Sequence, residues 1–271
     1  MNVLLAANER ACPGVDTVLF SLLKHNKNIN ITIFTGTIDI DNNMGVIYNH
    51  RKINKTQEER LRKIVAYFDS NSTIRIIDVA KEFDTVLKRG GVNEQTSFTP
   101  HSMLRLLIDL YYDNSIHDLL YLDSDIIVTD NIETEYKMYT TSDHAYSAYS
   151  APAACDYKGE MNSGVMFFNL DKCREINFFK RARHNLINHV YKYPDQMAIR
   201  DVCDPNPIPT DLNFFDNLED MYYMPKIIHF TDCFRVKVYN AKSPYYFFKM
   251  YPQFKYIYDG IHLIDQLNLK V

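Results

Sequence analysis

Apolar residues recur along this chain with two periods, and the order in which the periods alternate predicts the architecture. Residues 3–7 form an unbroken apolar run, the pattern of a strand buried on both faces. Residues 17–23 place Val18, Leu19, Leu22 and Leu23 at helical spacing, and residues 29–34 alternate β-branched positions as a second strand. Residues 56–68 carry charges on one side and Leu61, Ile64, Val65 and Phe68 on the other, an amphipathic helix with Thr56 and Glu59 as its capping box. Residues 72–79 read as a third strand. Residues 101–112 read as a helix with Met103, Leu106, Leu107 and Leu110 on its apolar face and Arg105 on its polar face. Residues 119–122 are a further apolar strand. Strand and helix in alternation predict an α/β fold, a mostly parallel sheet flanked by helices.

The later half is less regular. Residues 144–149 and 164–170 read as strands, 177–191 and 195–202 as helices, and 227–230 as a short strand. Pro205, Pro207 and Pro209 bracket a rigid loop. No repeat, low-complexity tract or linker interrupts the chain. The reading is one α/β domain over residues 1–241, with an aromatic C-terminal helical extension over residues 242–271 packed on it. The polar segment 82–99 contains Gly90-Gly91 and suits a mobile lid as well as it suits a plain surface loop.

Composition narrows the function classes. A chain of 271 residues with a formal charge of -4 offers no basic face for nucleic acid. Only 8 glycines are present, which disfavours a glycine-rich phosphate loop, and neither G-x-G-x-x-G nor G-x-x-x-x-G-K-[ST] occurs. The five cysteines are scattered without a C-x-x-C pair, which reads as free thiols in a reducing compartment. With no secretory signal pattern at the N-terminus and no bilayer-length apolar run, a cytoplasmic location is expected, in a cell or in the cytoplasm of an infected host.

The candidate chemistry lies at Asp123-Ser124-Asp125, directly after the apolar run 119–122 and directly before Ile126-Ile127-Val128. A lone D-x-D is most often a solvated turn, but apolar flanks on both sides argue against one. Two carboxylates at the end of a buried strand are unfavourable unless something neutralises them, and a hard divalent cation does so. An EF-hand calcium loop does not fit, because Ile127 and Val128 stand at the next ligand position and the turn glycine. Strand ends of open parallel sheets are also where ligands bind.

Several short motifs occur in a fixed order around that pair. They are Leu5-Ala6-Ala7-Asn8, Arg105, Tyr121-Leu122-Asp123-Ser124-Asp125, Asn162-Ser163-Gly164 with the apolar run that follows, Asp195-Gln196, and Ile228-His229-Phe230. In this the chain resembles the retaining glycosyltransferases of family 8, the group that includes glycogenin and the bacterial lipooligosaccharide galactosyltransferases. The likeness runs from about residue 3 to about residue 235. It implies a GT-A nucleotide-diphospho-sugar transferase fold and transfer of a hexose from a UDP-sugar, with UDP-glucose or UDP-galactose first. The acceptor would be a hydroxyl on a glycan or a protein tyrosine. The implied cofactor is Mn2+, with Mg2+ as second choice, held by Asp123, Asp125 and His229. By the same resemblance Ala6, Asn8, Arg105, Asp123, Ser124, Asn162, Asp195, Gln196 and Arg235 bind the donor. Asp195 and Gln196 would carry the catalysis, with Gln196 near the anomeric carbon.

Two positions depart from the family pattern. Asn8 stands where an acid is common. After His229 the chain reads Phe230-Thr231-Asp232-Cys233-Phe234-Arg235, with Asp232 in place of a glycine and Arg235 in place of the lysine that serves the diphosphate. The competing readings are a catalytically silent UDP-sugar-binding protein and a sugar-1-phosphate nucleotidyltransferase, which needs a glycine-rich basic loop that residues 5–10 do not offer. A glycosidase needs opposed carboxylates about 5–10 Å apart. Two open questions concern partners. The aromatic tail with Lys242, Lys249 and Lys255 suits a peripheral membrane contact as well as a packed helix, and a homodimer stays open.

Overall fold

The computed structural model describes residues 1–41, 47–87, 99–150, 161–209, 212–215, 224–230, 251–267 and 269. The first half runs β1 (Asn2–Ala6), α1 (Cys12–His25), β2 (Asn30–Thr35), β3 (Ile38–Asp41), β4 (Ile47–His50), α2 (Lys55–Phe68), β5 (Thr73–Asp78) and α3 (Ala80–Val86). A 3-10 helix (Pro100–Leu107) leads into α4 (Ile108–Tyr111), β6 (Asp118–Leu122), β7 (Ile126–Val128) and α5 (Glu133–Thr140). Then come β8 (Tyr146–Ser150), β9 (Met161–Asn169), α6 (Leu170–Glu175), α7 (Phe178–Asn188), α8 (Pro194–Arg200), β10 (Asn206–Ile208), β11 (Asn213–Phe215) and β12 (Ile227–His229). A C-terminal helix spans Lys255–Gln266.

Seven strands make the main sheet in the order β10-β8-β9-β6-β1-β2-β5. Strands β6, β1, β2 and β5 are mutually parallel, while β9 runs antiparallel to both β6 and β8. Helices cover both faces. Val3, Leu5, Leu120 and Leu122 point into one apolar layer with α1 and α2. Leu4, Ala6, Leu119 and Tyr121 point into the other, with the 3-10 helix, α7 and α8. Burial on both faces is why these strands are continuous apolar runs rather than alternating ones.

The order of strands and helices agrees with the pattern in the sequence, but local details differ. The N-cap of α2 is Asn54: its Oδ1 accepts from Gln57 N at 3.0 Å, and Gln57 Oε1 accepts from Asn54 N at 3.1 Å, so Thr56 and Glu59 are not the capping box. Residues 101–112 are mostly 3-10 helix, Leu110 is exposed and Arg105 is buried. The proline segment contributes an edge strand, β10, where Pro207 is tolerated because an edge position can lack an N–H partner. Within 82–99 the chain forms α3 up to Val86, and residues 88–98 with Gly90-Gly91 lie outside the described residues.

The C-terminal helix rests on α1 and α2. Phe20 occupies the space above Gly260, where an added Cβ would stand 2.3 Å from its Cζ. Lys24 Nζ lies 3.6 Å from the centroid of the Tyr256 ring. Arg60 bridges Asp265, through Nε at 2.9 Å, and the buried Asp16 at 3.3 Å. Of the aromatic tail, Phe254 and Ile257 are core residues, and Tyr245, Tyr246, Phe247, Phe248, Lys242 and Lys249 lie outside the described residues. No described helix is long and apolar enough to cross a membrane.

Burial pushes the Asp16 carboxyl up from 3.8 to about 7 against the pull of Arg60, and Asp265 adds to the rise. Between those two values the folded protein holds a proton that the unfolded chain has released, so stability falls as pH rises through the window. Asp16→Asn removes this component. Urea unfolding at about pH 5 and about pH 8 is expected to show a smaller stability difference in the variant than in the natural chain. An unchanged difference would refute the assignment.

Candidate functional site

Three residues carry the chain from the large sheet into a small one. β6 ends at Leu122, β7 begins at Ile126, and Asp123-Ser124-Asp125 forms the link. Each side of the link is fastened. Asp123 N donates to Gly164 O in β9 at 2.8 Å, and Phe230 N donates to Asp125 O at 2.9 Å. The small sheet has the order β11-β12-β7, and its antiparallel register sets His229 against Ile126. The histidine and the two acids therefore meet at the sheet junction, although about a hundred residues separate them in sequence.

The side chains converge. His229 Nε2 lies 3.1 Å from Asp125 Oδ1 and 4.0 Å from Asp123 Oδ2. One ligand atom from each of the three residues falls within a 4.8 Å set. Asp125 and His229 are buried, 8% and 2% exposed, and Asp123 is half-buried. The ring of His229 lies over Gly164, where a Cβ would stand 2.1 Å from its Cε1. A side chain at 164 would thus fill the place of the imidazole, so the glycine is needed for the histidine to reach the acids. Burial pushes His229 down, but the neighbouring Asp125 and then Asp123 outweigh it, and the ring is shifted up overall. This donor set, two carboxylate groups and an imidazole in a tight cluster, fits a divalent cation.

Arg105 lies beside the acids rather than on a solvated helix face. It is 1% exposed. Its Nη2 donates to Asp123 Oδ1 at 2.8 Å, Nε lies 3.2 Å from Asp195 Oδ2 and donates to Ser102 O at 2.8 Å, and Nη1 donates to Ser163 O. The guanidinium also stacks over the Tyr121 ring at 4.0 Å, and Tyr121 Oη donates to Asp123 Oδ1 at 2.7 Å. Burial would disfavour the charge of Arg105, but Asp123, Tyr121 and Asp195 hold it on. A charged residue on an apolar-spaced helix is ordinarily assigned to solvent; here four protein oxygens take its place.

The same network takes in α8. Asp195 is buried in the first turn, its Oδ2 accepts from Ser163 Oγ at 3.3 Å, and burial shifts its carboxyl upward despite Arg105. Gln196 Oε1 accepts from Ser163 N at 3.3 Å. Asn162 lies inside β9, which starts at Met161 rather than Gly164, and its Oδ1 accepts from Gly164 N at 2.8 Å. Around one junction the chain gathers three carboxylates, one guanidinium and one imidazole. Even a protonated His229 would leave negative charge in excess, which suits a cation.

Ala6 follows Leu5, the register partner of Leu122, at the same carboxyl edge of the sheet. Asn8 is buried, and its amide shapes the turn into α1. Oδ1 accepts from Arg10 N at 3.0 Å and Ala11 N at 2.9 Å, and Nδ2 lies 3.2 Å from His50 Nδ1. Ser124 is half-buried in the link. Arg235 and Asp232 lie outside the described residues. Two residues inside the motifs receive no role from the sequence. Tyr121 looks like one more apolar strand position, and Ser163 like a spacer. The signal for Tyr121 is period two: it sits two residues before Asp123, on the same face of the chain.

The sequence model of Glycosyl transferase family 8 matches residues 2–231. No protein of curated function matches the sequence. Solved structures with the same fold include the galactosyltransferase LgtC in complex with donor and acceptor sugar analogues, at 13% identity and a TM-score of 0.67 over 100% of this chain and 98% of that one. Mouse xyloside xylosyltransferase 1 is similar at 12% identity and a TM-score of 0.60, over 85% of this chain and 97% of that one. The glycosyltransferase GlyE of Streptococcus pneumoniae TIGR4 has 15% identity and a TM-score of 0.63, over 96% of this chain and 64% of that one. The fold is the GT-A glycosyltransferase fold that the sequence motifs imply.

The contact between Gly164 and His229 can be tested as a pair. Gly164→Ala is expected to cost about 1–3 kcal/mol of stability, since the buried imidazole must move. In a His229→Ala background the same change should cost far less. Urea unfolding of the four proteins measures the cycle, and an equal cost in both backgrounds would show that the ring does not occupy that space.

Proposed function

Because the chain belongs to glycosyl transferase family 8, we propose that it is a metal-dependent, retaining hexosyltransferase. It moves a hexose from a UDP-sugar, UDP-glucose or UDP-galactose first, to a hydroxyl acceptor on a glycan or protein. The observation that carries this reading is the Asp123, Asp125 and His229 cluster at the sheet junction. These three residues would hold the cation, Mn2+ before Mg2+ because an imidazole joins the carboxylates. When bound, such an ion supplies electrostatic stabilisation to a departing diphosphate.

The remaining residues position the sugar. Asn162 precedes Ser163 in β9, and Gln196 is tied to Ser163 N by Oε1, leaving its amide N–H groups for a sugar hydroxyl or the ring. Ala6, Asn8 and Ser124 line the donor side, and Arg235 is assigned to the diphosphate. Arg105 serves the donor through Asp123 and Asp195, which it holds in place. Asp195 is committed to Arg105 and Ser163, and Gln196 is a neutral amide, so neither is a good nucleophile. Retention then follows from attack on the face the diphosphate leaves. The acceptor oxygen bonds to the anomeric carbon as the bond from that carbon to the phosphate oxygen breaks, and the acceptor proton passes to the departing diphosphate. Trapping a glycosyl adduct on Asp195 would overturn this scheme.

Incubation with Mn2+ and UDP-glucose or UDP-galactose is expected to release UDP, faster with a hydroxyl acceptor. Asp125→Ala should lower the rate by roughly 100-fold or more. Tight UDP binding without release of UDP from either donor would instead identify a sugar-nucleotide binding protein.

A further inference from the structure

The two oxygens of Asp123 have unlike surroundings. Oδ1 receives two strong donors, Tyr121 Oη at 2.7 Å and Arg105 Nη2 at 2.8 Å. Oδ2 is turned towards His229, 4.0 Å from Nε2. Neither donor can easily swing away. Tyr121 is fully buried in the layer beneath the sheet, and Arg105 is fixed by Ser102 O, Ser163 O and the Tyr121 ring it stacks on. A buried phenol hydroxyl needs an acceptor, and this one has a carboxylate, which gives a short and strong bond. Left alone, a carboxylate turns freely about its last torsion, which is broad and two-fold, and can offer a cation either oxygen or both.

We propose that Tyr121, together with Arg105, clamps Asp123 Oδ1 and so presents Oδ2 as the single oxygen through which Asp123 binds the metal. Tyr121 is thereby a positioning residue. The inference rests on the metal-dependent reading above and sharpens it. A carboxylate held to one oxygen occupies one coordination position and leaves the others to His229, Asp125 and substrate oxygens. A freely turning one could chelate and take two. Arg105 alone does not suffice, since it gives Oδ1 one donor and the phenol gives the second, which together take up the two lone-pair positions of that oxygen. The group that orients a metal ligand commonly matters to affinity by 10–100-fold.

Tyr121→Phe deletes only the hydroxyl and keeps the ring on which Arg105 stacks. Mn2+ binding, followed by the electron paramagnetic resonance signal of free Mn2+, is expected to weaken by roughly 10-fold in this variant. UDP release should be recovered at saturating Mn2+, so the apparent metal constant moves and the maximal rate does not. Tyr146→Phe serves as control. That buried hydroxyl donates to Cys203 O at 3.0 Å, away from the acids, and its loss should leave Mn2+ affinity at the level of the natural chain. Equal affinity in Tyr121→Phe and the natural chain, or an equal loss in both tyrosine variants, would overturn the clamp while leaving the transferase reading intact. Failure of the natural chain to bind Mn2+, alone and again with UDP, would overturn the metal site itself.

Discussion

The structure depends on one buried cation. Arg105 lies under the sheet junction with almost no contact with water and holds two carboxylates, Asp123 and Asp195, that would otherwise repel each other. Removing a guanidinium from water is costly, and only well-directed acceptors offset it. Here the acceptors are two acids, the carbonyls of Ser102 and Ser163, and the face of Tyr121. Taking Arg105 away would strand the acids. The 3-10 segment that carries it also packs Met103, Leu104 and Leu106 into the core.

The acids are where they are because a single strand changes sheets. β6 is fixed between β1 and β9, β7 belongs with β12, and the three residues between must bridge the two. Backbone bonds at Asp123 N and Asp125 O fasten both ends of the bridge, so the side chains have little freedom in where they point. His229 arrives by register with Ile126, and Gly164 gives it room. The site is thus made from backbone constraints first and side-chain chemistry second, which is how a rigid scaffold holds functional groups to a fraction of an ångström.

Much of this was legible in the sequence, for physical reasons. Buried parallel strands are apolar on both faces, so β1, β2 and β6 stand out as runs. The acids, His229 and the residues of β9 and α8 were legible as an ordered set of motifs. What was not legible follows from ambiguity in the code. Spacing at i and i+3 serves a 3-10 helix and an α-helix alike, so residues 100–107 read as the wrong helix type. A charged residue on such a helix reads as solvated, which hid the burial of Arg105. Asn54 and Thr56 are both good caps two residues apart, and only the geometry of Gln57 decides between them. The polar start of β9 reads as a turn because Asn162 and Ser163 turn their polar groups to the site.

The chain contains the Arg105 problem twice. Arg60 also sits between two carboxylates, Asp16 and Asp265, with one of them buried. Both clusters carry more negative than positive charge, and each must dispose of the excess. At Arg60 the side chain of Asp16 is 4% exposed and burial raises its carboxyl to about 7, while Arg60 and Asp265 stay partly exposed, at 38% and 28%. At Arg105 the side chain of Asp123 is 28% exposed, and the imidazole of His229 stands on the other side of it from the guanidinium. The donor set, rather than the number of acids, separates the two clusters: among the described residues an imidazole joins the carboxylates beside Arg105, where Asp123, Asp125 and His229 offer their ligand atoms to one point.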